Sequence, residues 1–94
     1  MIKSFGSSAT RRFAMDGKSK FAGLDDELAV QRLGELDAAN GLSDLGLNKS
    51  VGLHKLKGDR AGQWAMTVNG RWRICFSFRK GDAHEVEIVD YHRG

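Results

Sequence analysis

Two short runs carry most of the reactive side chains in this sequence. One is the basic stretch His54-Lys55-Leu56-Lys57-Gly58-Asp59-Arg60, and the other is Asp90-Tyr91-His92 near the C-terminus. Between them Arg73 interrupts the apolar run Trp72–Phe78. Two titratable rings, several fixed cations, a carboxylate and a phenol suit the binding and cleavage of a phosphodiester. RNA can be cut by attack of its own 2′-hydroxyl on the neighbouring phosphate. That reaction needs a base for the hydroxyl, an acid for the leaving 5′-oxygen, and cations to meet the charge that develops on phosphorus. A histidine titrates near ~6.5 and can serve in either proton-transfer role. His54 or His92 then fits the base or the acid, and Lys57 with Arg73 the phosphate clamp. Asp90 fits a carboxylate that orients a histidine and fixes its tautomer. Tyr91 fits a ring that stacks on a base or donates to phosphate.

Each of these residues also has a plainer reading. His54, His84 and His92 read equally as scattered surface or core-edge histidines, Asp90 as the partner of an arginine, and Tyr91 as ordinary packing. The tail His92-Arg93-Gly94 is of the kind that frays. No metal or other cofactor is expected. Cys75 and the three histidines lack the paired short spacing that zinc sites use. Cys75 lies mid-strand with no evident base beside it, so it reads as a small hydrophobe rather than a nucleophile.

Charge points the same way as the motifs. Residues 1–50 carry seven Lys and Arg against seven Asp and Glu, which cancel, whereas residues 51–94 carry eight against five. Between 51 and 80 the cations Lys55, Lys57, Arg60, Arg71, Arg73, Arg79 and Lys80 face only Asp59. With a sequence pI near 9.3, this is the footprint of a nucleic-acid surface, with Lys55, Arg60, Arg71 and Arg79 as candidate RNA contacts. A solvated basic face is the alternative.

Ninety-four residues suit one domain, 1–94, with a modest core. The single cysteine rules out an intrachain disulfide and suits a reducing cytoplasm. No apolar run approaches the ~20 residues of a membrane span, and MIKSFGSSATRRF lacks the apolar centre of a secretion signal.

The elements that must position the reactive residues are legible from periodicity. Ile2-Lys3-Ser4-Phe5 alternates as a short strand does. Ser7-Ser8 is expected to cap a helix through Arg11, Phe13 and Met15 that stops near Gly17. Asp25 is expected to cap a second helix, with Asp26 and Glu27 at its positive end and Asn40-Gly41 at its close. Its apolar stripe is Ala29, Leu33 and Leu36. Arg32 falls inside the stripe and is expected to lay its stem over apolar surface with its head in water, the alternative being that it reaches toward a site. Residues 42–52 read as a loop with one helical turn, followed by the basic loop. Gln63–Val68 and Trp72–Phe78 alternate around Asn69-Gly70, a hairpin signal. Lys80-Gly81-Asp82 marks another turn, and Val86–Val89 a last strand running into Asp90. The expected order is a strand, two helices and three antiparallel strands: an α+β domain with two N-terminal helices packed on one face of a small antiparallel sheet. Ile74, Phe76 and Phe78 then meet the helices, and Arg73 faces away from them.

Taken together, Leu53-His54-x-Leu56-Lys57-Gly58-Asp59-Arg60-x-Gly62-x-Trp64, Trp72-Arg73-Ile74-x-Phe76-x-Phe78 and Asp90-Tyr91-His92 resemble the HigB toxins. These belong to the RelE/ParE superfamily of toxin–antitoxin systems and are also labelled plasmid-maintenance killer proteins. The resemblance spans essentially the whole chain. It implies a microbial-RNase-like fold with a twisted sheet, and a metal-independent endoribonuclease that cuts mRNA in the ribosomal A site. It implies a helix-turn-helix, HigA-like antitoxin as partner, with operator DNA bound through the toxin–antitoxin complex. It also implies that His54, Lys57, Arg73, Asp90, Tyr91 and His92 form the active site. Lys55 departs from the pattern, because many relatives have proline there; lysine loosens the loop and adds a cation. ParE-like members share the fold but act on DNA gyrase, so a non-catalytic gyrase inhibitor or a DNA-binding co-repressor is the alternative. The His54/Lys57 loop and the Asp90-Tyr91-His92 tail favour the nuclease.

Overall fold

A computed structural model describes residues 1–17 and 21–91. Three helices, α1 (Ser8–Asp16), α2 (Asp26–Ala38) and the short α3 (Leu42–Gly46), precede four strands, β1 (His54–Lys55), β2 (Trp64–Thr67), β3 (Trp72–Arg79) and β4 (Asp82–Asp90). The strands form one antiparallel sheet in the order β1-β2-β3-β4. The helices cover one of its faces, which is the α+β arrangement expected.

The helix ends follow their capping residues. Ser7 Oγ accepts the Thr10 N–H at 3.2 Å, and Gly17, left-handed at φ 69°, donates its N–H back to the Phe13 carbonyl at 2.7 Å. In α2 the Asp25 carboxylate accepts the Leu28 N–H at 3.1 Å, with Asp26 and Glu27 in the first turn. The buried face of α2 is Ala29, Leu33 and Leu36, as the periodicity requires, together with Arg32. Arg32 does not reach water: only 4% of it is exposed. Nε donates to the Thr67 carbonyl at 3.2 Å, Nη1 to Glu35 Oε1 at 2.8 Å and Nη2 to Ser50 Oγ at 3.1 Å. These partners lie on β2, on α2 and in the turn before β1. A buried guanidinium is tolerated only when its donors find acceptors, and here it cross-links three elements.

The sheet departs from the expected layout at three places. The basic loop opens as a strand, because His54 and Lys55 pair with Ala65 and Trp64, so the antiparallel strands number four rather than three. The N-terminal strand shrinks to two parallel bridges, Ile2 with Ala83 and Phe5 with Val86. Beyond them Thr10 Oγ1 accepts the Ile88 N–H at 2.9 Å, so α1 satisfies a β4 donor that the short N-terminal segment does not reach. Strand β4 begins at Asp82, four residues earlier than its apolar run Val86–Val89 suggests. Its pairing with β3 shifts between Cys75 and Ser77, and Glu85 takes a φ of 55°. This bulge interrupts the alternation, which hides the first half of the strand from a period-2 reading.

Both turns fall where predicted, with one refinement. Lys80 and Gly81 have φ of 51° and 81°, as a two-residue hairpin turn between the paired Arg79 and Asp82 requires. At the other hairpin Trp72 donates its N–H to the Asn69 carbonyl at 2.8 Å, so the central pair is Gly70-Arg71 rather than Asn69-Gly70. Asn69 instead ties the turn to the start of α2. Its side chain accepts the Asp25 N–H at 2.8 Å and donates to the Gly23 carbonyl at 2.9 Å.

Burial divides by sheet face. Phe13, Ala29, Leu33 and Leu36 pack on Met66, Ile74, Phe76, Val86 and Ile88 to make the main core. On the opposite face Leu56, Ala65 and Cys75 are also buried, with Val89 and Tyr91 against them. The sequence reading treats that face as turned to solvent or a ligand; it carries a small apolar core of its own, and Cys75 is indeed a buried hydrophobe there.

Candidate active site

The face away from the helices holds the reactive residues, and strand register explains why. Directly paired residues of antiparallel strands point to the same side. His54 pairs with Ala65, Ala65 with Cys75, and Cys75 with Glu87, so these four share one face. Arg73 lies two residues from Cys75 and pairs with Thr67 and Val89, which puts it on that face as well. The sequence reading assumes that the last strand reaches the basic loop. In the sheet β1 and β4 are opposite edges, separated by β2 and β3. Even so, the His54 and Tyr91 rings approach edge-to-face, with centroids 6.4 Å apart. Three strand spacings of about 4.8 Å would separate the edges of a flat sheet by about 14 Å. Sheet twist and the small side chains of Ala65 and Cys75 let Tyr91 lie across the middle. Its N–H donates to the Arg71 carbonyl at 2.8 Å, anchoring it just past β4.

These elements enclose a cleft of about 690 Å³ lined by His54, Lys55, Leu56, Lys57, Arg71, Arg73 and Tyr91. The volume falls in the range of small-ligand sites, and four of its seven lining residues are fixed cations. Arg73 is oriented by its own hairpin, since Nη1 donates to the Gly70 carbonyl at 2.8 Å and to the Trp72 carbonyl at 2.9 Å. His54 is oriented by the chain just before it, with Nδ1 3.1 Å from the Gly52 carbonyl oxygen. Beneath the cleft burial pushes the Cys75 thiol above its ordinary value of 9.0, a rise that Arg60 and Arg73 oppose and Glu87 adds to. It stays protonated at neutral pH and serves as floor rather than nucleophile.

Other predicted residues lie at the margins. Asp90 lines an adjoining depression of about 430 Å³ with Lys57, Arg60 and Tyr91. Its carboxylate stands 3.7 Å from Arg71 Nε. Both side chains are exposed, so the pair contributes little to stability. His54 meets the Gly52 carbonyl. Arg60 does not line the main cleft; it donates to Gln63 at 3.0 Å and to Glu87 at 3.1 Å, so its charge is already matched. Arg79 is further along the same side of the sheet, with Asp59, Arg60, Ser77 and Glu85 around it. His92 lies outside the described residues. Among the described residues no group of three or more His, Cys, Asp or Glu stands together as metal ligands.

Gly52, which meets His54, is not among the residues that the sequence singles out, and Arg32 is buried where a solvated head is expected. Arg32 left a signal, a cation inside an apolar helical stripe. Gly52 left none beyond being a glycine two residues before a candidate histidine.

A family model described as the RelE-like toxin of the type II toxin–antitoxin system HigB matches residues 3–92. The chain belongs to the HigB-like toxin family. It is 38% identical over 94 residues to the Endoribonuclease HigB of Proteus vulgaris, an alignment covering 98% of this chain and 100% of that protein. Membership in a type II toxin–antitoxin family implies a cognate antitoxin as partner. The resemblance drawn from the His54–Trp64, Trp72–Phe78 and Asp90–His92 motifs therefore identified the HigB-like family correctly. No helix among the described residues is long and apolar enough to cross a membrane.

Proposed function

We propose that this HigB-like protein is an endoribonuclease toxin that enters the ribosomal A site and cuts mRNA there by intramolecular attack of the 2′-hydroxyl. The observation that carries the reading is the shared cleft of His54, Lys57, Arg73 and Tyr91 on the sheet face away from the helices. A proton leaves the 2′-hydroxyl as the O2′–P bond forms. The P–O5′ bond breaks and the 5′-oxygen takes up a proton, leaving a 2′,3′-cyclic phosphate and a 5′-hydroxyl. Lys57 and Arg73 bind the non-bridging oxygens, where charge grows most in the transition state. Tyr91 offers a face for a base to stack on or a hydroxyl for the phosphate. Asp90 acts at the margin with Arg71, and His92 is the second ring of the proton-transfer set. Lys55 and Arg71 extend the cation surface along the RNA, with Arg60 and Arg79 beyond them.

A helix-turn-helix antitoxin neutralises the toxin, and operator DNA is bound through their complex. Action on translating ribosomes places the protein in the cytoplasm. The test is a translation mixture with one defined mRNA, in which new 5′ ends are mapped by primer extension with and without ribosomes. Cuts within the A-site codon that need ribosomes, and vanish with Lys57→Ala, are expected. Intact mRNA in both mixtures would overturn the reading in favour of a gyrase-type or co-repressor role.

A further inference from the structure

A carbonyl oxygen can only accept a hydrogen bond, so the 3.1 Å contact between Gly52 and His54 requires the proton on Nδ1. A neutral imidazole carrying its proton there has a bare lone pair on Nε2. The residue that makes this contact lies at the surface, but its conformation and its neighbour on one side admit only glycine. Gly52 is left-handed at φ 59°, and a Cβ at this position would stand 2.6 Å from Thr67 Oγ1 and 3.4 Å from Thr67 Cβ. No other residue type fits there without strain and a clash. The turn leading into it is fixed as well. Asn48 Oδ1 accepts from Ser50 N at 3.0 Å and from Ser50 Oγ at 2.7 Å, Gly52 donates its N–H to the Lys49 carbonyl at 3.1 Å, and Val51 is buried. Buried Arg32 then ties the turn that leads into Gly52 to the strand that Gly52 faces, holding Ser50 Oγ and the Thr67 carbonyl.

We propose that Gly52, wedged against Thr67 and braced by the Arg32–Ser50 bond, is a positioning residue that holds His54 as the Nδ1–H tautomer, so that Nε2 is the proton acceptor for the attacking 2′-hydroxyl. The assignment rests on the endoribonuclease reading and deepens it. It makes His54 the base and leaves the acid role to another group, His92 being the remaining ring of the set. It also gives a buried arginine far from the substrate a purpose in the site.

The experiment is ring-nitrogen NMR of the full chain labelled with ¹⁵N-histidine, at a pH where His54 is neutral, paired with single-turnover and steady-state cleavage kinetics. Wild-type His54 is expected as the Nδ1–H tautomer. Gly52→Ala should move the ring toward the Nε2–H form that unconstrained histidine favours. It should lower kcat roughly tenfold or more, because a small displacement of a reacting group is costly, with KM changed less than about twofold. If Gly52→Ala does not fold, Ser50→Ala should move tautomer and kcat in the same direction by less. An Nε2–H tautomer in the wild type overturns the inference, as does a Gly52→Ala protein with unchanged tautomer and kcat. Wild-type protein that holds the Nδ1–H tautomer yet cuts no RNA overturns the endoribonuclease reading and, with it, the catalytic role of Gly52.

Discussion

Replacing Arg32 by methionine keeps most of the aliphatic stem and deletes three donors. The side chain is 5% exposed and bonds Thr67, Glu35 and Ser50 at 2.8–3.2 Å. Removing one member of a buried ionic network commonly costs about 3–5 kcal/mol, mostly from the charge left behind. Here that charge is Glu35, whose side chain keeps 30% of its surface in solvent and can be rehydrated. The loss therefore falls at the lower end, about 3 kcal/mol, chiefly from the stranded Thr67 carbonyl and the lost charge-assisted bonds. For a domain of this size that lowers the melting temperature by about 12–24 °C. The assay is urea denaturation followed by circular dichroism, with the m-value checked for constancy so that the midpoint shift reports stability alone. Arg32→Lys, which restores one charge but not the three-way fork, should fall between the two. A loss below about 1 kcal/mol for Arg32→Met would refute the view that this residue ties α2, β2 and the turn before β1 together.

Further predictions concern the cleft. Lys57→Ala and Arg73→Ala should each lower RNA cleavage about 10²–10³-fold, as loss of a transition-state contact does. Lys57 is exposed, so Lys57→Ala should leave the melting temperature within about 4 °C of wild type. Ala65→Leu places three extra carbons under Tyr91 and opposite His54; stability should fall by about 1–3 kcal/mol and cleavage should drop, which melting and kinetics on the same sample would check. Cys75 should resist thiol reagents in the native state and react on unfolding. Its raised pKa means that the folded protein keeps a proton the unfolded chain loses first. This contribution to stability is intact at neutral pH and is lost as pH rises from the ordinary thiol value through the raised one. Cys75→Ala should abolish that alkaline component of a pH–stability curve.

Much of this was legible because the main core follows simple periodicities. The α2 stripe, the division of β3 between two faces and the caps at Ser7 and Asp25 all reappear in the structure, although both faces of β3 are buried at its centre. What escaped was set by tertiary context. A two-residue strand such as β1 has too few positions to show a period, and the basic side chains of His54-Lys55 read as loop. The bulge at Glu85 broke the alternation of β4. The second small core could not be inferred because its members, Leu56, Ala65, Cys75, Val89 and Tyr91, come from four segments joined only by the twist of the sheet. The candidate site residues follow from their chemistry and from the family resemblance, and the structure adds what neither supplies: which backbone carbonyls aim Arg73 and His54. Arg32 shows the limit most clearly. Its helical position was read correctly, yet burial reversed the meaning of its charge.

The most direct test of the central claim is an RNA with a single deoxyribose at the cleavage position, compared with its all-ribose counterpart in the presence of ribosomes. Intramolecular attack predicts no cut at the deoxy position, and a 2′,3′-cyclic phosphate with a 5′-hydroxyl on the products of the all-ribose RNA. Continued cutting at the deoxy position would contradict the account, since the nucleophile would then have to come from elsewhere.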